Sequence, residues 1–298
     1  MTDPQQAAVT GERRQLINLA YRLLGSLAES EDVVQEAYAR WYALSESRRR
    51  EVAVPGAWLT TVTSRICLDL LGSARARRES YVGEWIPEPV PGRSDWLGGP
   101  IPADPADRVT LDESISMAFL VVLDSMTPAE RVSFVLHDVF RYSFAEVAEI
   151  VGRTPAACRQ LASSARRRID TPRDPSGAER AEVVREFKQA WETQDIEALI
   201  GLLDPRATAT ADGGGKVLAF LEPITGGEQI ALAWVEIGRR TTGVTLLERT
   251  VNGQPGLVAE VDGAVISVYA FDIAEGRITR IWVIRNPEKL RPWTGGDR

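Results

Sequence analysis

Between Trp85 and Asp107 the chain reads "WIPEPVPGRSDWLGGPIPADPAD", with six prolines and three glycines. Proline lacks the N–H that helix and sheet interiors need, and glycine loses the most backbone entropy on ordering. No helix or strand crosses such a tract, so parts of the chain must fold separately on either side of it. A shorter break, "RDPSG" at 173–177, divides the remainder. The organisation expected is one domain over 1–79, an acidic linker over 80–110, a second domain over 111–172 and a third over 178–298. A chain of 298 residues, 44% hydrophobic, supports several cores of that size.

The first two parts carry helical periodicity. Leu16, Leu19, Ala20, Leu23 and Leu24 form one apolar stripe; Val33, Val34, Ala37, Tyr38 and Trp41 form another, with Ser30 as its expected N-cap. "SESRRREV" reads as an arginine-rich loop, and Pro55 opens a third helix with Trp58, Leu59, Val62, Ile66 and Leu70 inward. In the second part "TPAE" at 127–130 and "SFAE" at 143–146 are capping boxes, a hydroxyl followed three residues later by glutamate. The second box starts a short helix over 144–151. Gly152 ends it, Arg153 and Thr154 make a turn, and Pro155 starts a longer helix. That is the helix-turn-helix pattern.

Net charge is −7, which disfavours a polyanion partner, but local fields matter more than the sum. From Arg153 to Ile169 there are five arginines and no acid; from Glu79 to Glu113 there are eight acids and two arginines. On the last helix Cys158, Leu161, Ala162, Ala165 and Ile169 fall inward, leaving Arg159, Gln160, Ser163, Arg166 and Arg167 outward. Arginine and glutamine make bidentate contacts to guanine and adenine edges, and further arginines hold phosphates. This face, with Arg153 in the turn, reads as DNA-binding, against the plainer alternative of a solvated helix surface.

The third part begins with helical stripes: Val183, Val184, Phe187, Ala190 and Trp191, then Ile196, Leu199, Leu202 and Leu203. An amphipathic segment "GEQIALAWVEIGRR" follows. The runs "VTLLERTV", "GLVAEV", "AVISVYAFDI" and "ITRIWVIR" are separated by "NGQP", "DG" and "AEG" and predict an antiparallel meander. Within this part "DGGGK", Asp212 to Lys216, resembles a phosphate cradle at first sight. A P-loop needs a further spacer, a serine or threonine after the lysine, and a helix. Here Val217 follows and the sequence beyond alternates like a strand. Gly213, Gly214 and Gly215 are therefore expected to form a turn closely approached by another surface.

Residues 11–170 resemble the two domains of an extracytoplasmic-function sigma factor. "DVVQEAYARWY" (32–42) resembles the segment that grips the clamp helices of RNA polymerase, which implies a core-binding role for Asp32, Gln35 and Glu36. "AWLTTVTSRICLDLL" (57–71) resembles the helix that reads the −10 element. That resemblance implies DNA roles for Trp58, Arg65 and Arg75, and strand capture by the loop holding Arg48, Arg49 and Arg50. The helix-turn-helix then implies −35 recognition. Residues 178–292 resemble a SnoaL-like domain of the ketosteroid-isomerase and nuclear-transport-factor fold, a helix-lined cone on a curved sheet. A subgroup of these sigma factors carries such an extension, with signatures like "WIPEP", "DGGGK" and "NPEKL" here. The fold class expected is multidomain: two all-α sigma domains and an α+β cone. Trp85, Pro87, Asp212, Gly213, Gly214, Gly215, Lys216, Asn286, Pro287, Lys289 and Leu290 are expected to form an interdomain regulatory surface.

The function expected is promoter-directed initiation by bacterial RNA polymerase, regulated in cis by the third domain. The competing reading makes that domain an isomerase- or cyclase-like enzyme or a small-ligand sensor. Of its candidate bases, Asp204, Asp212 and Asp262 have turn explanations, leaving Asp272. The single histidine, His137, lies among Val135, Leu136 and Val139 and reads as structural. Cys67 and Cys158 read as small core residues in a reducing compartment. No metal, cofactor or membrane association is expected. No run of about 18 apolar residues occurs, and the N-terminus has no apolar signal region, so the cytoplasm is the expected location.

Overall fold

The computed structural model describes residues 12–79, 81–92, 115–169 and 176–294. They form two compact units. One holds the described residues up to Glu79 and from Val122 to 169. The other gathers residues 81–92, 115–121 and everything from 176 onward.

In the first unit, α1 (Arg13–Leu24) and α2 (Leu27–Ala43) form a hairpin. Gly25 ends α1 at φ 70°, and Ser26 caps α2 by accepting from the Glu29 amide. Ser30 is therefore not the cap. It lies one turn inside α2, buried, and donates back to the Ser26 carbonyl. Leu16, Ile17, Val34, Ala37, Trp41 and Leu59 make the core. The expected arginine-rich loop is a helical turn, α3 (Glu46–Glu51), because Ser45 caps it and Glu46 pairs with Arg50 one turn on. Helix α4 spans Pro55–Glu79. Its buried face also departs from expectation: Leu59, Thr60, Thr63, Ser64, Cys67 and Leu71 are buried, while Trp58, Val62, Ile66 and Leu70 are only half-buried. Small and hydroxyl side chains occupy the centre, so a hydrophobicity count places the stripe about one position off.

Helix α5 (Met117–Asp124) leads to α6 (Pro128–Phe134), which continues into a π-helical turn, Val135–Val139. Then come α7 (Phe144–Val151) and α8 (Pro155–Arg166). Both capping boxes form, Gly152 ends α7 at φ 68°, and Thr154 caps α8, as the sequence predicts. The His137 ring stacks on Phe144 at 3.8 Å, and its Nδ1 lies 2.8 Å from the Tyr142 carbonyl. This is a packing role.

The second unit is α+β. Helices α9 (Gly177–Glu192), α10 (Ile196–Leu202) and α11 (Gly227–Arg240) cover one face of a six-stranded sheet ordered β2-β1-β6-β5-β4-β3. Strands β3 (Val244–Val251), β4 (Gln254–Val261), β5 (Ala264–Ala274) and β6 (Arg277–Ile284) form the expected antiparallel meander. The sheet is more than that meander: β1 (Leu203–Asp212) runs parallel to β6, and β2 (Ile224–Thr225) pairs outside it. The segment after Lys216 is not a strand. The strand precedes the glycine turn, where Leu203, Ala207, Ala209 and Ala211 are buried beneath the helices.

The sheet is apolar on both faces. Leu257, Ala259, Tyr269, Phe271, Ile281 and Val283 face the helices. Val258, Val268, Ala270, Trp282 and Ile284 point the other way, into a second core completed by Ile86, Met117 and Leu290. Successive strand residues alternate faces, so two apolar faces need two covers. The linker, the start of α5 and the tail supply the second.

Candidate nucleic-acid interface and linker-binding site

On α2, Asp32, Gln35 and Glu36 lie exposed, opposite buried Val33, Val34 and Ala37. Glu36 pairs with Arg40 at 2.9 Å, an exposed helix pair of small energetic weight. Arg48 and Arg50 are exposed on α3, and Arg49 is half-exposed. Trp58 lies 5.2 Å from Trp41, ring to ring, so it packs within the helical core. The side chain of Arg75 lies outside the described residues.

Arg65 is exposed on α4, and its Nη2 donates to the Glu149 carbonyl on α7 at 2.8 Å. Tyr142, just before α7, donates to Thr60 on α4 at 3.2 Å. Arg131 on α6 is buried, donating to the Leu23 carbonyl at 2.9 Å and to Asp124 at 2.7 Å. Burial pushes its guanidinium down to about 10. The helix expected to read one promoter element is thus fastened to the helix-turn-helix expected to read the other.

On α8, Arg159 and Gln160 are exposed and Ser163 is half-exposed. The Arg159 guanidinium lies over the Phe144 ring at 5.4 Å, and Arg166 pairs with Asp138 at 2.6 Å. Arg153 and Arg167 are exposed at the turn and the helix end. All but Arg166 among these arginines are without an ion-pair partner among the described residues, as an anion-binding surface requires.

In the second unit the three short signatures converge on Asp212, at the end of β1, with no exposed surface. One carboxylate oxygen accepts from the Tyr81 hydroxyl at 2.7 Å and the Gly214 amide at 3.0 Å. The other accepts from Lys289 Nζ at 2.6 Å and the Ile86 amide at 3.1 Å. The Asp212 carbonyl accepts from the amides of Arg285 and Asn286. Lys289 also donates to the Ile86 carbonyl and sits 4.3 Å above the Trp85 ring. Burial and then the bond to Asp212 raise the Tyr81 phenol above its ordinary range, so it remains a donor at neutral pH. A buried charge is tolerable when paired and fully hydrogen-bonded, and Asp212 is both.

The glycine turn has the expected open geometry. Gly214 and Gly215 sit at φ 62° and 68°. A side chain at Gly214 would run into the Asn286 carboxamide, and one at Gly215 would meet Val82. Asn286 donates to Tyr81, and Lys216 pairs with Glu288 across the turn. Pro87 and Leu290 are buried, whereas Pro287 is exposed. Trp293 extends the contact by donating to the Pro89 carbonyl at 2.9 Å.

Sequence reasoning missed two candidates, Tyr81, which donates to Asp212, and Asn252. Asn252 lies in the β3–β4 turn at φ 49°, fully buried. Its Oδ1 accepts from the Val90 amide at 3.1 Å, its own amide donates to the Val90 carbonyl, and its Nδ2 donates to the Ile115 carbonyl at 3.0 Å. One side chain therefore pins Val90 in the linker to Ile115, just before α5, positions far apart in sequence. "NGQP" reads as an ordinary hairpin turn; only the unexplained second apolar face of the sheet hints that something docks there.

Comparison with known proteins matches both helical parts to known domains. The model of Sigma-70 region 2 matches residues 8–77, and that of Sigma-70, region 4, matches residues 116–169. The chain is similar to the "ECF RNA polymerase sigma factor SigJ" of Mycobacterium tuberculosis, 38% identical over 294 residues, covering 93% of this chain and 90% of that one. It is 35% identical to the "Probable ECF RNA polymerase sigma factor SigI" of the same species, covering 97% and 96%. The crystal structure of the extracytoplasmic function sigma factor SigJ from M. tuberculosis matches with a TM-score of 0.74 at 35% identity, over 94% of this chain and 96% of that one.

Proposed function

Because the chain belongs to the ECF sigma factors of RNA polymerase, and so directs polymerase to particular promoters, we propose how its parts divide that work and how its third domain regulates it. The exposed acidic face of α2 docks on the clamp helices of the polymerase. Arg65 and the arginines of α3 act at the −10 element, and the face of α8 reads the −35 element. The SnoaL-like domain holds the linker through Asp212, Lys289 and Asn252, and so controls how far apart the two helical domains can move. A small ligand of that domain tunes the hold.

The bond from Arg65 to Glu149 carries this reading. Promoter elements centred about 25 base pairs apart lie ~85 Å apart along a duplex at ~3.4 Å per base pair. Helix α4 cannot serve one element while fastened to the helix-turn-helix that serves the other. The described conformation is closed, and the differential energy to open it must come from polymerase and promoter. Pinning at Asn252 shortens the tether. A free run of roughly 40 residues could span ~140 Å, at up to ~3.5 Å per residue; with Val90 and Ile115 held together, the residues between them no longer contribute reach.

A non-catalytic third domain fits the same picture. None of Asp204, Asp212, Asp262 or Asp272 lines its cavity, and among the described residues the lining holds no carboxylate or imidazole. Asp204 accepts from the Arg206 amide and Asp262 sits in a turn at φ 50°. Asp272 lies within β5 opposite Arg280.

Run-off transcription with purified core polymerase tests the division of labour. The wild-type chain is expected to give a transcript that depends on a matched −35 element. Arg159→Ala is expected to lose about 1–3 kcal/mol of that preference, roughly 5- to 150-fold, if its contact is bidentate. Equal loss on matched and scrambled templates removes Arg159 from base reading, and a template-independent signal from the wild type contradicts the function itself.

A further inference from the structure

Two arginines of the α8 face are held in different ways. Arg166 gives its Nε–H to the Asp138 carboxylate at 2.6 Å. The Arg159 guanidinium lies over the Phe144 ring at 5.4 Å and has no ion-pair partner among the described residues. An aromatic face attracts a cation through its quadrupole but offers no acceptor oxygen. The N–H fork of Arg159 therefore stays open to a base edge, while its long side chain loses part of its rotamer freedom before any DNA arrives. Arg159 is exposed and Phe144 is half-buried, so the contact is made at the surface that DNA would meet.

The ring is itself fixed. Phe144 is the first residue of α7, and the capping box between Ser143 and Glu146 sets the backbone there. The His137 imidazole stacks on the ring at 3.8 Å, 24° from parallel. His137 is held in turn, with Nδ1 2.8 Å from the Tyr142 carbonyl. His137 and Asp138 are neighbours in the π-helical turn Val135–Val139, a kind of turn found frequently at functional sites. One turn thus carries the supports of both arginines: the imidazole that stacks on Phe144 and the carboxylate that pairs with Arg166.

Resting on the reading of α8 as the −35 helix, we propose that Phe144 is a positioning residue that determines specificity: its ring, braced by His137, preorganises the Arg159 guanidinium for a bidentate contact with a base edge. The role is exercised through Arg159 and not by a DNA contact of its own. A loosely held arginine meets phosphate oxygens as readily as base edges, and phosphate contacts carry no sequence information. An arginine already aligned loses less freedom on binding, and that gain is realised only where the base edge fits the fork. Phe144 therefore raises the preference for a matched element more than it raises binding to DNA in general.

The test replaces Phe144 in the full-length chain by mono-, di- and trifluorinated phenylalanine. Fluorine is close to hydrogen in size but withdraws negative charge from the ring face, so the attraction for a cation falls stepwise while the packing is nearly kept. Thermal unfolding establishes that each chain is folded. Run-off transcription with core polymerase is then measured on templates with matched and scrambled −35 elements. The matched-to-scrambled ratio is expected to fall stepwise, by about 2- to 5-fold at the trifluorinated ring, the range of an exposed cation–π contact. Yield on the scrambled template is expected to stay level. In an Arg159→Ala background the same series is expected to leave the ratio unchanged. A ratio that stays flat across the series while Arg159→Ala lowers it overturns the role of Phe144 and leaves the base reading by Arg159 standing. A loss of yield on both templates alike, in either background, is a packing effect and also overturns it. A ratio unmoved by Arg159→Ala removes Arg159 from base reading and the role of Phe144 with it.

Discussion

Lys289→Met is expected to destabilise the second unit by about 3–5 kcal/mol, the cost of leaving one member of a buried ion pair without the other. Asp212 would keep the Tyr81 hydroxyl and the amides of Ile86 and Gly214 but lose its only cation among the described residues. The Ile86 carbonyl and the Trp85 ring would lose their cation as well. The first segment to loosen should therefore be 81–89, seen as new protease cleavage there before global unfolding. The double variant with Asp212→Asn should be less damaging than the sum of the two single ones, because no buried charge then remains. A Lys289→Met chain within about 0.5 kcal/mol of wild type in urea unfolding, with an uncut linker, would mean that the pair does not hold the linker.

Reversing Asp32 and Glu36 to lysine is expected to abolish capture of core polymerase. Both side chains are exposed, and the buried stripe of α2 is untouched, so helicity should be unchanged. Like charge juxtaposed at an interface costs several kcal/mol, which corresponds to a loss of about 100-fold or more in affinity. Glu36→Lys also faces Arg40, its present partner, but an exposed pair at that spacing contributes only a few tenths of a kcal/mol. Undiminished co-purification of the double variant with core would move the docking face elsewhere on the helical unit.

How far the sequence reveals this arrangement depends on how local the determining chemistry is. The helix-turn-helix is written within about twenty residues: a capping box at Ser143, glycine at 152, a threonine cap and proline at 154–155. Each sets its own backbone, so boundaries read from sequence match the structure. The β3–β6 meander is equally legible, because β-branched runs alternate with turn residues. Strand β1 is hidden because "ATATA" is small and weakly strand-forming alone; burial beneath the helices and parallel pairing with β6 make it a strand. The centre of the α4 face is hidden for a related reason, since Thr60, Thr63 and Ser64 are buried but score as polar.

The site shows the same division. The glycine turn declares its open angles in sequence, but nothing in "DGGGK" says that its aspartate is the common acceptor. That role depends on Tyr81, Ile86 and Lys289 arriving from distant stretches. Asn252 is harder still: its turn sequence is explained fully by φ 49° in a hairpin, and its contacts to Val90 and Ile115 add no local signature. The linker itself is misleading at first reading. Its prolines forbid regular structure but not burial, and Ile86, Pro87 and Val90 are buried in the second unit.

The central claim is that the two DNA-reading helical parts are held together in the free chain and must separate on a promoter. Labels on Ala43→Cys and Ala145→Cys, at exposed positions outside the proposed contacts, report it directly. Native Cys67 and Cys158 are buried, and burial raises both thiols above their ordinary range, so the introduced cysteines react selectively. Pulsed electron–electron distance measurement on the free chain should give one short distance, and adding core polymerase with promoter DNA should lengthen it by tens of ångströms. An unchanged distance in a complex that still initiates transcription would contradict the account.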